Sequence, residues 1–200
     1  MSFQTVRQFE SAVADWYGAS HAVATDCCTH AMELCLRWLG ATTASCPAHT
    51  YLSVPMTLTK LGISWQFVDV PWQDSYLLAG TAIRDAAVLW RANSHVRGEF
   101  TCLSFQHRKH LSLGRGGMIL CDSDSDANAL RRMAYDGRDP QLPWAEQDIN
   151  TLGYHYYMTP ETAALGMQLL PVAMATQPLA WSWCDYPDLR TMELWRAQAI

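Results

Sequence analysis

The sequence predicts an α/β domain, a three-layer sandwich built on a mostly parallel sheet. Three observations lead there. Short β-branched or apolar runs alternate with segments of helical periodicity, which is the pattern of repeated strand–helix units. Glycines close several of the helical segments, as C-caps do. Of the 200 residues, 50% are hydrophobic and 16% are charged, enough apolar content for one sizeable core.

Taken in order, residues 4–18 place Phe9, Val13, Trp16 and Tyr17 at helical spacing before Gly18. Residues 21–25 read as a buried strand, and residues 29–39 as a helix ended by Gly40. A strand over 44–48, a helix over 53–61 ended by Gly62 and a strand over 65–70 make a second such unit. Residues 71–81 hold Pro71, Asp74, Ser75 and Gly80 and are expected to be loop. A weak strand over 82–84 ends at Asp85, and strands over 100–105 and 117–121 flank a loop that carries Lys109. Residues 125–135 read as helix, residues 137–147 as a polar connection, and Thr159-Pro160-Glu161 as a helix start leading to about Leu170. The expected organisation is one domain over 1–170 and a Trp- and Pro-rich tail over 171–200, packed on it or on a partner subunit.

The formal net charge of −5 gives no electrostatic footprint for a nucleic-acid binder. The seven cysteines (27, 28, 35, 46, 102, 121 and 184) are odd in number and irregular in spacing, so reduced thiols are expected rather than a disulfide framework. No apolar run reaches membrane-spanning length, and the first residues do not read as a signal peptide. These features point to a cytoplasmic protein without membrane partners. The nine tryptophans suggest a lined pocket or a subunit contact. No four-ligand metal spacing appears around His107, His110, Cys27 or Cys28, so no metal is expected.

In parallel sheets ligands sit beyond the carboxyl ends of the strands. Cys27-Cys28-Thr29, Asp85 and the run from Ser104 to Lys109 fall there. Pyridoxal phosphate needs an amine to form an imine, an anion facing its ring nitrogen and donors for its phosphate. Lys109 can supply the amine and Asp85 the anion. Thr29, opening a helix, and Ser104 can hold the phosphate. Alone, each residue has a blander role: a loop lysine is usually solvated, and Asp or Thr beside a helix is usually a cap.

Taken together, these segments resemble the DegT/StrS-type sugar aminotransferase family, a branch of the fold-type I pyridoxal-phosphate enzymes. The resemblance spans about residues 5–170, with a gap. Cys27-Cys28-Thr29-His30-Ala31-Met32 stands where the family has a Ser-Gly-Thr-x-Ala-Leu phosphate turn. Pro47-Ala48-His49-Thr50-Tyr51 is similar to its Pro-x-x-Thr-aromatic segment, which implies that Tyr51 or His49 stacks on the cofactor ring. Asp85-Ala86-Ala87 resembles Asp-x-Ala, whose Asp pairs with the pyridine nitrogen. Ser104 through Lys109, followed by Gly114-Arg115-Gly116-Gly117, is the most specific match; there the Lys forms the Schiff base and the Ser contacts phosphate. Gly153 through Met158 looks like a Gly-Tyr-Asn-Tyr-Arg-Met segment.

The resemblance implies a reduced version of the fold-type I large domain, bound pyridoxal 5′-phosphate and a homodimer with shared active sites. His155 stands where the family's Asn reaches the partner subunit's phosphate. Departures are specific. A strand–helix unit is missing between Val70 and Asp85, the family's C-terminal domain is absent, Val88 replaces a Gln, Cys28 replaces a Gly and Tyr157 replaces an Arg. The implied reaction is aminotransferase-like chemistry on a small amine or amino acid. Decarboxylation or another lyase reaction of an α-amino acid is the alternative, with nucleic acid entering only as a carrier of that substrate in a modified base. A cofactor-free interaction module using Trp181, Trp183 and Trp195 is the third reading.

Overall fold

Helix α1 (Phe3–Tyr17) buries Val6, Phe9, Val13 and Tyr17 along one face, and Gly18 ends it in the left-handed region at φ 73°. The computed structural model describes residues 2–196. After α1 come β1 (His21–Thr25), α2 (Cys28–Trp38), β2 (Thr43–Pro47), α3 (Ser53–Lys60) and β3 (Ser64–Val68). Then follow β4 (Tyr76–Leu78), β5 (Ile83–Asp85), β6 (Phe100–Ser104), β7 (Gly117–Cys121), α4 (Asp124–Ala134) and α5 (Pro160–Ala175).

The strands form one sheet in the order β1-β7-β6-β5-β4 and a separate β2-β3 pair. A single antiparallel bridge, Ser45 to Ala79, joins β2 to the end of β4. Apolar residues alternate across the larger sheet. Val23, Cys102, Ile119 and Cys121 face a core shared with α2, α3 and α4, while Ala22, Leu103, Met118 and Leu120 face α1 and α5. Helices on both faces make the three expected layers. Helices α1 and α5 lie close because Gly166 has no side chain; a Cβ there would stand 2.6 Å from the Phe9 ring.

Two expectations are corrected. The larger sheet is not mostly parallel, since three of its four strand pairings (β1–β7, β6–β7 and β4–β5) are antiparallel and only β5–β6 is parallel. The connection from β6 to β7 carries no helix, so β7 turns back beside β6 instead of crossing over. Residues 71–81, expected as loop, contain β4, which pairs with β5 through a hairpin whose turn has Gly80 at φ 85°. This hairpin lies between Val70 and Asp85, where the resemblance implies a missing strand–helix unit.

Helix α5 also runs past its expected end, through Pro171 to Ala175. Its last turn is held from outside: Trp90 Nε1 and His110 Nε2 each donate to the Ala173 carbonyl at 2.9 Å. These bonds offset the one that Pro171 cannot donate. Beyond α5 the chain crosses the β2–β3 side. Trp183 N donates to Trp72 O at 3.1 Å and Leu189 N to Ala48 O at 3.0 Å, while Trp195 is buried with its ring 6.0 Å from that of Phe67. Residues 197–200 of the expected tail lie outside the described residues. No helix among those described is long and apolar enough to cross a membrane.

Candidate active site

The ends of β1, β5 and β6, with the start of α2, bring the chemistry-bearing side chains to one edge of the sheet. Asp85 closes β5 and is 7% exposed. Its Oδ2 accepts from Tyr76 Oη at 2.7 Å and its Oδ1 from the Ala87 N–H at 3.0 Å. Burial pushes the carboxyl above its usual range, while these two bonds and the charge of Lys109 push back.

Lys109 sits in the turn after β6, where its N–H donates to Gln106 O at 2.8 Å. Burial lowers its ammonium below the ordinary lysine value, opposed by Asp85 and Cys28. Its Nζ lies 5.8 Å from the centre of the Trp181 ring. Among the described residues no carboxylate comes within ion-pair distance of it. Lys109 and Ser104 share the wall of a cavity of about 270 Å³ with Ala87, Val88, Arg108 and Trp181. Asp85, Cys28 and Thr29 stand outside that wall.

Cys28 and Thr29 open α2, whose N-cap, Cys27, gives no side-chain bond to the first turn. The Thr29 hydroxyl donates to Ser53 Oγ at 3.0 Å. The Cys28 thiol points inward to the Cys102 carbonyl at 3.6 Å, and burial followed by the charge of Asp85 pushes it well above the usual thiol range. The turn into α2 lies directly on β7: a Cβ on Gly117 would come 2.3 Å from the Cys27 carbonyl carbon. That requirement gives the last residue of Gly114-Arg115-Gly116-Gly117 a physical reason to be glycine.

The remaining candidates are placed differently. His49 Nδ1 pairs with the Tyr186 carbonyl at 2.8 Å, and its ring meets Trp183 edge-on at 5.1 Å. Tyr51 is 56% exposed. His155 has 72% of its side chain exposed and pairs with Asp136 at 3.2 Å. Beside the α2 entrance, Asp26 binds His30 at 2.6 Å and Arg115 at 2.7 Å. Ligand atoms of Asp26, Cys27 and His30 lie within 4.8 Å of one another, but a cation there would compete with the Arg115 guanidinium for Asp26.

Sequence reasoning did not single out Tyr76, Thr50 or Tyr186. Tyr76 bonds Asp85 directly, and Thr50 bonds Tyr76. Tyr186 is pushed up to about 12 by burial first and then by the charge of Asp85. The signal for Tyr76 was the Tyr-Leu-Leu run separated by Gly80 from Ile-Arg-Asp, a hairpin signature.

The chain matches the DegT/DnrJ/EryC1/StrS aminotransferase family over residues 1–89 and 93–176. It belongs to that family. AtS13 from Actinomadura melliaura superposes with a TM-score of 0.76 at 21% identity, covering 86% of this chain and 61% of that one. The sugar aminotransferase CalS13 from Micromonospora echinospora gives 0.71 at 16% identity, over 84% and 60% of the two chains. A DegT DnrJ EryC1 StrS aminotransferase from Brucella abortus gives 0.72 at 18% identity, over 86% and 59%. The chain therefore spans about three fifths of the length of these structures. No curated protein matches it.

DegT/DnrJ/EryC1/StrS aminotransferases use pyridoxal phosphate, and the residues present fit that group. The donor set contains a half-buried amine without an ionic partner among the described residues, a buried carboxylate with lone pairs to spare and a helix N-terminus left uncapped by its N-cap side chain.

Proposed function

We propose that the chain is a pyridoxal-phosphate-dependent, aminotransferase-like enzyme acting on a small amine or amino acid. One observation carries the reading: β5 and β6 run parallel side by side, so Asp85, closing one, and Lys109, in the turn after the other, come to the same sheet edge. Lys109 would hold the cofactor through Nζ, Asp85 would face its ring nitrogen, and Ser104, Thr29 and the α2 N-terminus would hold its phosphate. When bound, the cofactor supplies an electron sink for the carbon bearing the substrate's amine.

The chain's own residues then do the rest. Burial lowers Lys109, so Nζ is neutral over a wider pH range than a surface lysine and is suited to move a proton at the substrate's α-carbon. Asp85, buried and bonded on both carboxyl oxygens, would set its negative charge against the ring nitrogen where few waters screen it. Arg108 lines the same cavity as Lys109 and is a donor for a substrate carboxylate. His155, turned outward, is suited to serve the site of a second copy, which is the basis for proposing a homodimer. We read residues 1–170 as the cofactor domain and the tail as its cover on the β2–β3 side. No observation favours decarboxylation or a cofactor-free module over this reading.

The test is direct. Protein mixed with pyridoxal phosphate is expected to gain an absorbance band near the visible edge that borohydride bleaches, and Lys109→Ala is expected to lose it. Wild-type protein that stays colourless overturns the proposal. Product analysis then decides the reaction, since transamination leaves the amine form of the cofactor whereas decarboxylation releases carbon dioxide.

A further inference from the structure

A carboxylate as buried as Asp85 stays charged only where donors replace the water it has lost. Two donors within its own chain do so, one on each oxygen. The Ala87 N–H belongs to the turn that follows β5. The other donor, the Tyr76 phenol, comes from β4, whose register sets Tyr76 directly opposite Asp85.

Tyr76 is itself held on every side. It is buried, its ring lies 5.3 Å from that of Trp72, and its Oη is within hydrogen-bond distance of Thr50 Oγ1, also buried. The direction of the chain of bonds is forced. An ionised carboxylate can only accept, so the phenol's single proton goes to Asp85, and Thr50 must then donate to the phenol oxygen. Each carboxylate oxygen keeps a further lone pair for an incoming donor.

Other titratable groups face Asp85 from every neighbouring element. Cys28 from α2, Cys46 from β2, Cys102 from β6 and Tyr186 from the tail are all held neutral by burial or a thiol bond, with the nearby carboxylate adding to the effect. Lys109, in the turn after β6, is the cation among them. Tyr76 is thus the neutral side chain that does most to keep a charge on Asp85.

We propose that Tyr76, backed by Thr50, is a positioning residue that keeps Asp85 ionised and aimed at a cationic ring nitrogen. The hairpin β4–β5 installs it where the sequence lacks a strand–helix unit. The aim toward a ring nitrogen rests on the cofactor reading above; the support of the carboxylate does not.

The experiment separates the two. In cofactor-free protein labelled with carboxyl-¹³C aspartate, the Asp85 resonance reports its midpoint directly, assigned through Asp85→Asn. Tyr76→Phe is expected to raise that midpoint by about one pH unit or more, since a hydrogen bond to a charged group is lost. Thr50→Val should move it the same way by less, because the phenol keeps its own bond. On adding pyridoxal phosphate, quenching of tryptophan fluorescence should show roughly ten-fold weaker uptake by Tyr76→Phe. An unchanged Asp85 midpoint in folded Tyr76→Phe overturns the proposal. Should Tyr76→Phe fail to fold, an unchanged midpoint in Thr50→Val does so. If wild-type protein takes up no cofactor, the functional reading falls while the midpoints still decide the role of Tyr76.

Discussion

The β1–β7–β6–β5 half of the sheet and the β4–β2–β3 half meet beside Asp85 but are held together by different means. In the first half the ladders are continuous, with five residue pairs between β1 and β7 and four between β6 and β7. In the second, the β2–β3 ladder is as long, but β2 meets β4 through one bridge, and backbone bonds between the tail and Ala48, Trp72 and Asp74 add to the hold. Lys109 and Ser104 therefore depend on nearby strand pairing, whereas His49 depends on residues more than a hundred positions away, as its bond to Tyr186 across 137 positions shows.

The largest effect that can break this contrast is expected at Gly117. Gly117→Ala sets a Cβ against the Cys27 backbone, which cannot move aside as a side chain could. A loss of about 3 kcal/mol in denaturant unfolding is expected. A loss well under 1 kcal/mol would mean that the α2 entrance is not pinned to β7.

Leu189→Ala removes a fully buried tail side chain and is expected to cost about 2 kcal/mol. Amide exchange should speed up in β2 and β3 and stay unchanged in β6 and β7. Equal acceleration in both halves would erase the distinction drawn between them.

A smaller effect concerns His30, at the α2 entrance. Burial works against its charge, but Asp26 and Cys27 outweigh it and raise the imidazole from 6.5 to about 9. A group raised on folding stabilises fully below its unfolded value and loses that stabilisation as pH climbs through the folded one. Stability should thus fall by about 1 kcal/mol as pH rises through this window, the pair being about a fifth exposed and partly screened. His30→Gln should flatten the slope.

How much of this was legible follows the same division. Periodicity and capping marked α1, α2, α3 and α4 closely, because each buries one apolar stripe. Strand direction was misjudged although the signal was present: a helix-free connection between β6 and β7 is too short for a crossover. Strand β4 was hidden by its three-residue length and by Pro71, Asp74, Ser75 and Gly80 around it. Lys109, Asp85 and Ser104 stood out through a motif and its order along the chain. Tyr76 and Tyr186 carry no motif; only the hairpin register and the path of the tail bring them to Asp85.

The nine-residue separation of Tyr76 from Asp85 also bears on the order in which the molecule assembles. Closing so short a loop costs about 2 kcal/mol less chain entropy than closing the one between His49 and Tyr186. The phenol can therefore engage its carboxylate on a nascent chain, before either the lysine turn or the tail has been made. A hairpin makes this pairing an early, local event rather than a late, long-range one.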